Sequence, residues 1–270
     1  MPAVQLARLN QQIDALIWLF TNPSDFLSRL RDLFELYSDR LYRAGHAVPP
    51  TSMTSSYHVP ILVLRHLRIG LRPACRQHPA AALALADILW AESMFEFRLL
   101  AAALLGAIPL TQLGPVVERL RLFSCPPIDH LVLEALLTDG GLSLRRELPQ
   151  QWIDLISRWN DDPALPIQSV ALKAIKVTAQ DEQFSNLPPL FRILSEQLKT
   201  GSAPLQAELQ ETLLALLRRS PTETVFLLRQ ILPLTTSPIS LRLIRLILPR
   251  VPAEFQAGLR QALLQRNNQP

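Results

Sequence analysis

The sequence is poor in glycine, cysteine and aromatic residues, and each shortage excludes a class of protein. Eight glycines among 270 residues leave little material for the glycine-rich loops that hold nucleotide phosphates. The two cysteines, Cys75 and Cys125, cannot form a disulfide framework and suit a reducing compartment. Aromatic residues make up only 6% of the chain, so aliphatic side chains must fill its core.

Long apolar runs and known catalytic motifs are also missing. No uninterrupted apolar run reaches the roughly 18–20 residues needed to span a bilayer, and segment 1–10 has no signal-peptide core or cleavage site. We therefore expect a cytoplasmic protein with no membrane partner. The motifs G-x-G-x-x-G, G-x-S-x-G, H-E-x-x-H and the phosphate-binding loop are absent, so we expect no small-molecule cofactor.

What the chain has in abundance is leucine and proline. Hydrophobic residues make up 49% of the sequence, and leucine, which favours helices over strands, is the commonest of them. A helical chain with 23 prolines must contain many helix starts rather than one long rod. This composition predicts an all-α protein.

Two interleaved series of prolines predict a repeat. Pro127, Pro166, Pro204 and Pro238 are spaced by 39, 38 and 34 residues, and the second series by 34, 39 and 33 residues. The members of that second series are Pro115, Pro149, Pro188 and Pro221. Proline is tolerated in the first helical turn, so the series mark alternating helices of one repeating pair. The period is typical of HEAT-like repeats, although prolines also punctuate helical proteins in general.

The hydrophobic pattern divides the chain into four parts. We expect an N-terminal helical hairpin over 1–44, a linker over 45–58, a repeat array over 59–265 and a flexible tail over 266–270. Ser93 and Glu96 are spaced as a capping box for the helix that follows, and 138–147 is expected to be a long loop. The predicted helices are 3–20, 24–44, 60–77, 79–91, 93–108, 115–123, 127–138, 149–160, 165–179, 188–199, 204–219, 221–232, 238–248 and 253–265.

The net charge of +4 is too small to indicate a polyanion partner, but the basic residues are patterned. One helical stripe carries Arg65, Arg68, Arg72 and Arg76. Lys173 with Lys176, and Arg242 with Arg245, recur on other helices, and Lys173 and Arg245 each follow their helix-opening proline by seven residues. Such groups form either a track for a phosphate backbone or an ordinary solvated face.

Few side chains are arranged for chemistry. Cys75 and His78, with Cys125 and His130, have a spacing that faintly resembles a zinc site, but such residues near helix ends more often pack or face solvent, and we expect no metal. Asp129 beside His130 suggests either acid–base chemistry or a charge that complements a helix dipole. The tryptophans Trp90, Trp152 and Trp159 suit either base stacking or a core.

Segment 59–108 carries a more specific pattern. Val59 and Pro60 precede the basic helix, ALADILW follows at 84–90, and FEFRLLAA follows at 95–102. This order resembles the HEAT-like DNA alkylation repair family, in which a VP…LR segment precedes an LW…hE.R..A signature. The resemblance is clearest over 59–108 and continues as repeat similarity to about residue 220. It implies a right-handed α–α superhelix, a HEAT-like repeat solenoid.

The same resemblance implies a function. Family members are DNA glycosylases that excise alkylated purines such as 3-methyladenine and 7-methylguanine, holding duplex DNA in a basic concave cleft. Asp129 would then be the catalytic carboxylate, and Arg98 of the signature would join the DNA-binding residues named above. This chain departs from the family at the site, with Cys125 where a tryptophan is expected, Ser169 in place of an arginine, and no tryptophan near Thr212.

The sequence thus leaves three functions open. The first is duplex DNA binding through a basic concave face, the second is a non-catalytic HEAT-repeat scaffold for a protein partner, and the third is an alkylpurine glycosylase with a rebuilt site. Arginines and Lys173 lining one groove would favour DNA, and apolar residues there would favour protein. We expect the chain to act as a monomer.

Overall fold

The computed structural model describes residues 5–38, 54–235 and 237–267. Within these ranges the chain is helical and contains no β-strand. The all-α prediction is confirmed. The described chain forms two compact units, which meet in sequence between Glu147 and Leu148.

The first unit contains eight α-helices among its described residues. They are α1 (Leu6–Trp18), α2 (Pro23–Tyr37), α3 (Ile61–Gln77), α4 (Pro79–Ala91), α5 (Phe95–Leu105), α6 (Leu113–Phe123), α7 (His130–Ala135) and α8 (Leu142–Glu147). A 3₁₀ turn (Leu110–Gln112) precedes α6, and a π-helical segment (Leu136–Gly140) follows α7. Helix α3 packs between α1 and α5, and α4 packs against α2, α3, α5 and α6. The unit is therefore two rows of helices, with α1, α3, α5 and α7 in one row and α2, α4 and α6 in the other.

The second unit contains seven α-helices in its described part. They are α9 (Pro149–Asn160), α10 (Leu165–Gln180), α11 (Pro188–Thr200), α12 (Gln206–Arg219), α13 (Pro221–Ile231), α14 (Pro238–Ile247) and α15 (Ala253–Asn267). Short 3₁₀ turns, Ala203–Leu205 and Leu248–Arg250, precede α12 and follow α14. Helix α12 packs between α10 and α14, while α13 packs between α11 and α15. This unit also consists of two rows.

Proline marks five of the eight helix starts that the two proline series predict. Pro149, Pro188, Pro221 and Pro238 are each the first residue of a helix, where an N–H would have no intrahelical partner. Pro166 occupies the second position of α10. Three prolines of the series do not open a helix: Pro115 is the third residue of α6, Pro204 lies in the 3₁₀ turn before α12, and Pro127 precedes α7, which begins at His130. The Asp129 side chain accepts hydrogen bonds from the N–H groups of Leu131 and Val132 and so fixes the start there.

The predicted capping box of α5 is wrong. Met94, not Ser93, is the N-cap residue, and no side chain caps this helix start. Glu96 is only 2% exposed and faces the strap, residues 54–59, which crosses α2 and α5. Its carboxylate accepts from the Ser56 hydroxyl at 2.7 Å and from the N–H groups of Tyr57 and Val59 at 3.1 and 3.3 Å. The Glu96 carboxylate therefore accepts hydrogen bonds from three residues of the strap and takes no part in capping α5.

The predicted linker and the first hairpin fall partly outside the described residues. Helix α2 ends at Tyr37, Ser38 is extended, and 39–53 lie outside the described ranges. The Tyr57 ring packs 6.0 Å from the rings of both Phe34 and Phe97. Residues 54–58 of the predicted linker therefore belong to the packed strap and do not form a spacer. At the other end α15 runs to Asn267, so the predicted tail starts too early; 268–270 are not described.

The predicted loop over 138–147 is also wrong, because this stretch is mostly helical. The Arg145 side chain is buried and donates to the carbonyls of Leu137 and Thr138 at 3.0 and 3.2 Å, which stabilises the end of the π-helical segment. A Cβ on Gly106 would lie 1.8 Å from the carbonyl oxygen of Asp139. Backbone contact at this glycine sets the distance between α5 and that segment.

Leucine fills the core of both units, and the second unit adds two tryptophans. Trp152 is fully buried, its indole N–H donates to the Thr178 hydroxyl at 2.7 Å, and its ring meets Trp159 edge to face. Fully burying one large aliphatic side chain contributes about 1.5–3 kcal/mol. Trp152 and Trp159 are core residues, which leaves neither ring free to stack on a base.

Candidate functional site

The arginines of α3 lie on the outer side of their helix. Arg65, Arg68, Arg72 and Arg76 are all exposed, while Val63, Leu67 and Leu71 point into the core. Arg68 forms an ion pair with Asp139. Within the described ranges no carboxylate pairs with Arg65, Arg72 or Arg76. The predicted stripe therefore exists and keeps three unneutralised guanidinium groups.

A small recess lies beside this stripe. It has a volume of about 150 Å³ and lies between α3, the end of α5 and the π-helical segment. It is lined by Arg68, Ile69, Arg72, Ala103, Gly106, Ala107, Asp139 and Leu142. It contains one carboxylate that is already paired with Arg68. Its volume is below the roughly 300 Å³ of small-molecule sites, so the recess does not suit a metabolite.

Two of the four predicted basic residues of the second unit, Lys173 and Lys176, lie beside carboxylates. Lys176 forms an ion pair with Glu211 at 2.9 Å, and Lys173 lies 3.9 Å from Glu208. Both glutamates belong to α12, which packs against α10. Arg242 and Arg245 are exposed on α14. Because the lysine charges are matched by carboxylates, this row contributes less positive potential than the sequence suggests.

Residues of the family-like signature support the fold. Arg119 on α6 binds the Asp87 carboxylate through two nitrogens, at 2.8 and 2.6 Å, and so ties α4 to α6. Arg98 donates to the carbonyl of Glu92 at 3.0 Å and lies 6.0 Å from the ring of Trp90. Trp90 itself stacks on Phe123 at 4.4 Å. Arg98 thus does not join the α3 stripe.

Asp129, the residue predicted to be catalytic, has a structural role at the start of α7. Asp129 is the N-cap of α7, and its side chain is only 2% exposed. Its oxygen Oδ1 accepts from the N–H of Leu131 at 2.9 Å. The helix-terminus role that the sequence left open is therefore present, and the carboxylate has little surface to offer a sugar.

The positions that depart from the family also have local partners. Ser169 donates to the Glu208 carboxylate at 3.0 Å, and Thr212 is buried and donates to the carbonyl of Leu172 at 2.9 Å. The Cys125 thiol is exposed near the carbonyl of Arg121. Burial raises the pKa of the Cys75 thiol to about 12. In the described part of the chain no three His, Cys, Asp or Glu side chains are placed to share a metal ion.

The feature that the sequence reading missed is a concentration of exposed apolar side chains on α1 and α3. Ile69 is 62% exposed in the middle of α3, and Trp18, at the end of α1, is 87% exposed. The full set is Leu6, Ile17, Trp18, Ile61, Leu62 and Ile69. We call these residues, with the arginines of α3, the α1–α3 face. Large exposed apolar side chains are a feature of interaction surfaces.

A second recess lies in the other unit, between α11 and α13. Its volume is about 610 Å³, and Phe191, Phe226 and Leu227 contribute apolar surface. Its charges are mostly satisfied internally, since Lys199 pairs with Glu196 at 2.7 Å. The Ser220 hydroxyl donates to the Glu223 carboxylate and lowers its pKa. This balance indicates no preferred ligand charge.

Comparison with protein-family profiles, curated proteins and solved structures finds no match to this chain. No helix among the described residues is long and apolar enough to cross a membrane by itself. The segments Phe95–Leu105 and Leu110–Phe123 meet that length and composition only when joined, and they are bent by 101° at the break.

Proposed function

We propose that this chain is a non-catalytic binding protein of HEAT-like helical hairpins, coiled as a right-handed superhelix, and that it binds a protein partner through the α1–α3 face. The observation that carries the proposal is the position of Ile69, an exposed apolar residue flanked along α3 by Arg68 and Arg72. A surface that is apolar at its centre and basic at its edge matches the anatomy of protein interfaces.

Two features support binding without catalysis. A base-excising carboxylate must approach the sugar, whereas the Asp129 side chain is only 2% exposed and caps α7. The tryptophans that could stack on a nucleotide are packed, Trp90 on Phe123 and Trp152 in the core. Cytoplasmic location and membership of the alkylation repair family stay predictions.

Selection of binders from a random peptide library tests the proposal. Peptides enriched on the wild-type protein should lose about tenfold or more in affinity for the Ile69→Ser variant, because an apolar interface residue contributes on that scale. Leu122→Ser is the matched control, since Leu122 is 61% exposed on α6 in the other row of helices. A library that yields no peptide sensitive to Ile69 would overturn the proposal.

Duplex DNA is the second candidate ligand. Arg65, Arg72 and Arg76 are exposed and lack a described carboxylate partner, which favours contact with phosphates. If DNA is the ligand, plain duplex binds at low salt, affinity falls steeply as salt rises, and Arg72→Ala weakens binding. Anisotropy titrations with plain and methylated duplex make this measurement. If no duplex binds at low salt, DNA is excluded as the ligand.

A further inference from the structure

In the recess between α3, the end of α5 and the π-helical segment, Ile69 and two arginines of α3 line one concave surface. Arg68 and Arg72 are four residues apart, so they lie on the same face of α3, about 6 Å apart along its axis. Ile69 lies about 60° around the helix from Arg72. The residue that carries the proposed function therefore belongs to a recess with charged groups beside it.

The wall of the recess opposite α3 is held in a fixed position. A Cβ on Gly106 would lie 1.8 Å from the carbonyl oxygen of Asp139, so the end of α5 and the π-helical segment are in backbone contact. The Ser143 hydroxyl donates to the carbonyl of Gly106 at 2.6 Å, which ties α8 to the end of α5. A surface fixed in this way loses little conformational freedom when a ligand binds.

The charges of the recess do not balance. Its charged lining residues are Arg68, Arg72 and Asp139, and its apolar side chains are Ile69, Ala103, Ala107 and Leu142. Asp139 is paired with Arg68, whereas Arg72 is exposed and has no carboxylate partner in the described part of the chain. One guanidinium is therefore in excess beside an apolar surface, which favours an anionic group with an apolar stem.

The size of the recess indicates what can enter it. Its volume of about 150 Å³ is half of the roughly 300 Å³ at which small-molecule sites begin. A space of this size suits a single side chain, and the residues that contribute most to an interface commonly fill such pockets. Glutamate and aspartate combine a short apolar stem with a carboxylate, which a guanidinium can bind through two nitrogens.

We infer that the partner protein inserts one acidic side chain, a glutamate or an aspartate, into this recess, where its carboxylate binds Arg72 and its stem packs beside Ile69. The inference rests on the proposed function and names the residue type that this site selects in the partner. Asp139 already occupies Arg68. Removing the Asp139 charge should therefore strengthen binding of the acidic residue, because it frees a second guanidinium and removes a like charge.

The test uses the full chain and the library peptides whose binding depends on Ile69. Each peptide is made again with its glutamates replaced by glutamine and its aspartates by asparagine, one at a time. Fluorescence anisotropy gives the affinities at moderate salt, and melting curves verify that every protein variant is folded. We expect each peptide to contain one acidic residue whose replacement weakens binding about tenfold or more, as loss of a charged hydrogen-bond partner does.

Protein variants show whether that acidic residue meets Arg72. Arg72→Gln should weaken the acidic peptides about tenfold or more, with little further loss for peptides that already lack the acidic residue. Arg76→Gln is the matched control, since Arg76 is exposed one turn further along α3 and does not line the recess. It should change the affinity less than about threefold. Asp139→Asn should tighten binding of the acidic peptides and leave the amide peptides unchanged.

The outcomes separate this inference from the proposed function. Peptides that need Ile69 but no acidic residue, and that bind Arg72→Gln as well as wild type, overturn the inference and leave the apolar interface standing. Equal losses for Arg72→Gln and Arg76→Gln also overturn it, because the arginines then act as a diffuse cationic surface. If no peptide depends on Ile69, both proposals fail, and duplex DNA bound through Arg65, Arg72 and Arg76 alike would take their place.

Discussion

The hydroxyl of Ser56 donates to the carboxylate of Glu96 at 2.7 Å, across a sequence separation of 40 residues. Through this bond, and two more from the N–H groups of Tyr57 and Val59, α5 holds the strap that leads into α3. The strap is the described connection entering the helix that carries Arg65 and Ile69. The buried carboxylate thus anchors the α1–α3 face without belonging to it.

Replacing Glu96 by alanine is expected to lower the free energy of unfolding by about 2–4 kcal/mol, because buried donors lose their acceptor. Urea denaturation measures the loss. Ser93→Ala is the matched control, since Ser93 makes no cap in this structure and should cost well under the roughly 1 kcal/mol of a lost cap. If Ser93→Ala lowered the free energy of unfolding as much as Glu96→Ala does, the result would support the capping box.

Two glycines should respond to alanine in opposite directions. Gly106→Ala places a Cβ against the backbone carbonyl of Asp139, so we expect destabilisation of about 2 kcal/mol or more. Gly114→Ala meets no atom within 4 Å in α6, and helix propensity should raise stability by up to about 1 kcal/mol. Thermal melts of both variants decide the matter, and an unaffected Gly106→Ala protein would contradict the packing described for α5.

Asp129 can be tested as a cap and as a catalyst separately. Asparagine caps helices as well as aspartate, so Asp129→Asn should cost less than about 0.5 kcal/mol, while Asp129→Ala should cost about 1 kcal/mol. We expect no release of 3-methyladenine or 7-methylguanine from alkylated duplex by the wild-type protein. Release that disappears in Asp129→Asn would establish a catalytic carboxylate and refute the non-catalytic proposal.

The two thiols should differ in reactivity. Cys125 is exposed and should react promptly with a thiol reagent at mildly alkaline pH, whereas burial raises the pKa of Cys75 to about 12. A Cys125→Ser variant should therefore show no fast-reacting thiol when folded and one after unfolding. Rapid labelling of that folded variant would contradict the burial of Cys75.

The raised pKa of Cys75 also gives stability a pH dependence. The folded state disfavours the thiolate, so this contribution is fully present below the ordinary value of 9.0 and is lost as pH rises toward about 12. We expect the melting temperature of the wild-type protein to fall over that interval more steeply than that of Cys75→Ala. Parallel alkaline melting profiles for the two proteins would refute the assignment.

The helical architecture could be predicted from the sequence because its signals are local. Proline is tolerated in the first turn of a helix but excluded from most other helical positions. Pro149, Pro188 and Pro221 therefore identify real helix starts. The helix start predicted at Pro127 was wrong, because the Asp129 side chain, two residues later, accepts a hydrogen bond from the first turn of α7 and so sets where that helix begins.

The candidate site could be predicted only in part. The spacing of Arg65, Arg68, Arg72 and Arg76 correctly placed four side chains on one exposed stripe. Pairing of Lys173 and Lys176 with glutamates 35 residues further along the chain could not be predicted, because it requires α10 to pack against α12. The exposure of Ile69 could not be predicted either, since a helix in a stack is expected to bury most of its apolar residues.

Hydrogen–deuterium exchange of the full chain, with and without a library peptide selected for binding to the wild-type protein, tests the central claim most directly. The account predicts that the peptide slows amide exchange in α1 and α3, and that the protection disappears in Ile69→Ser but persists in Leu122→Ser. Protection confined to other helices, or unchanged exchange in α1 and α3 under saturating peptide, would contradict it.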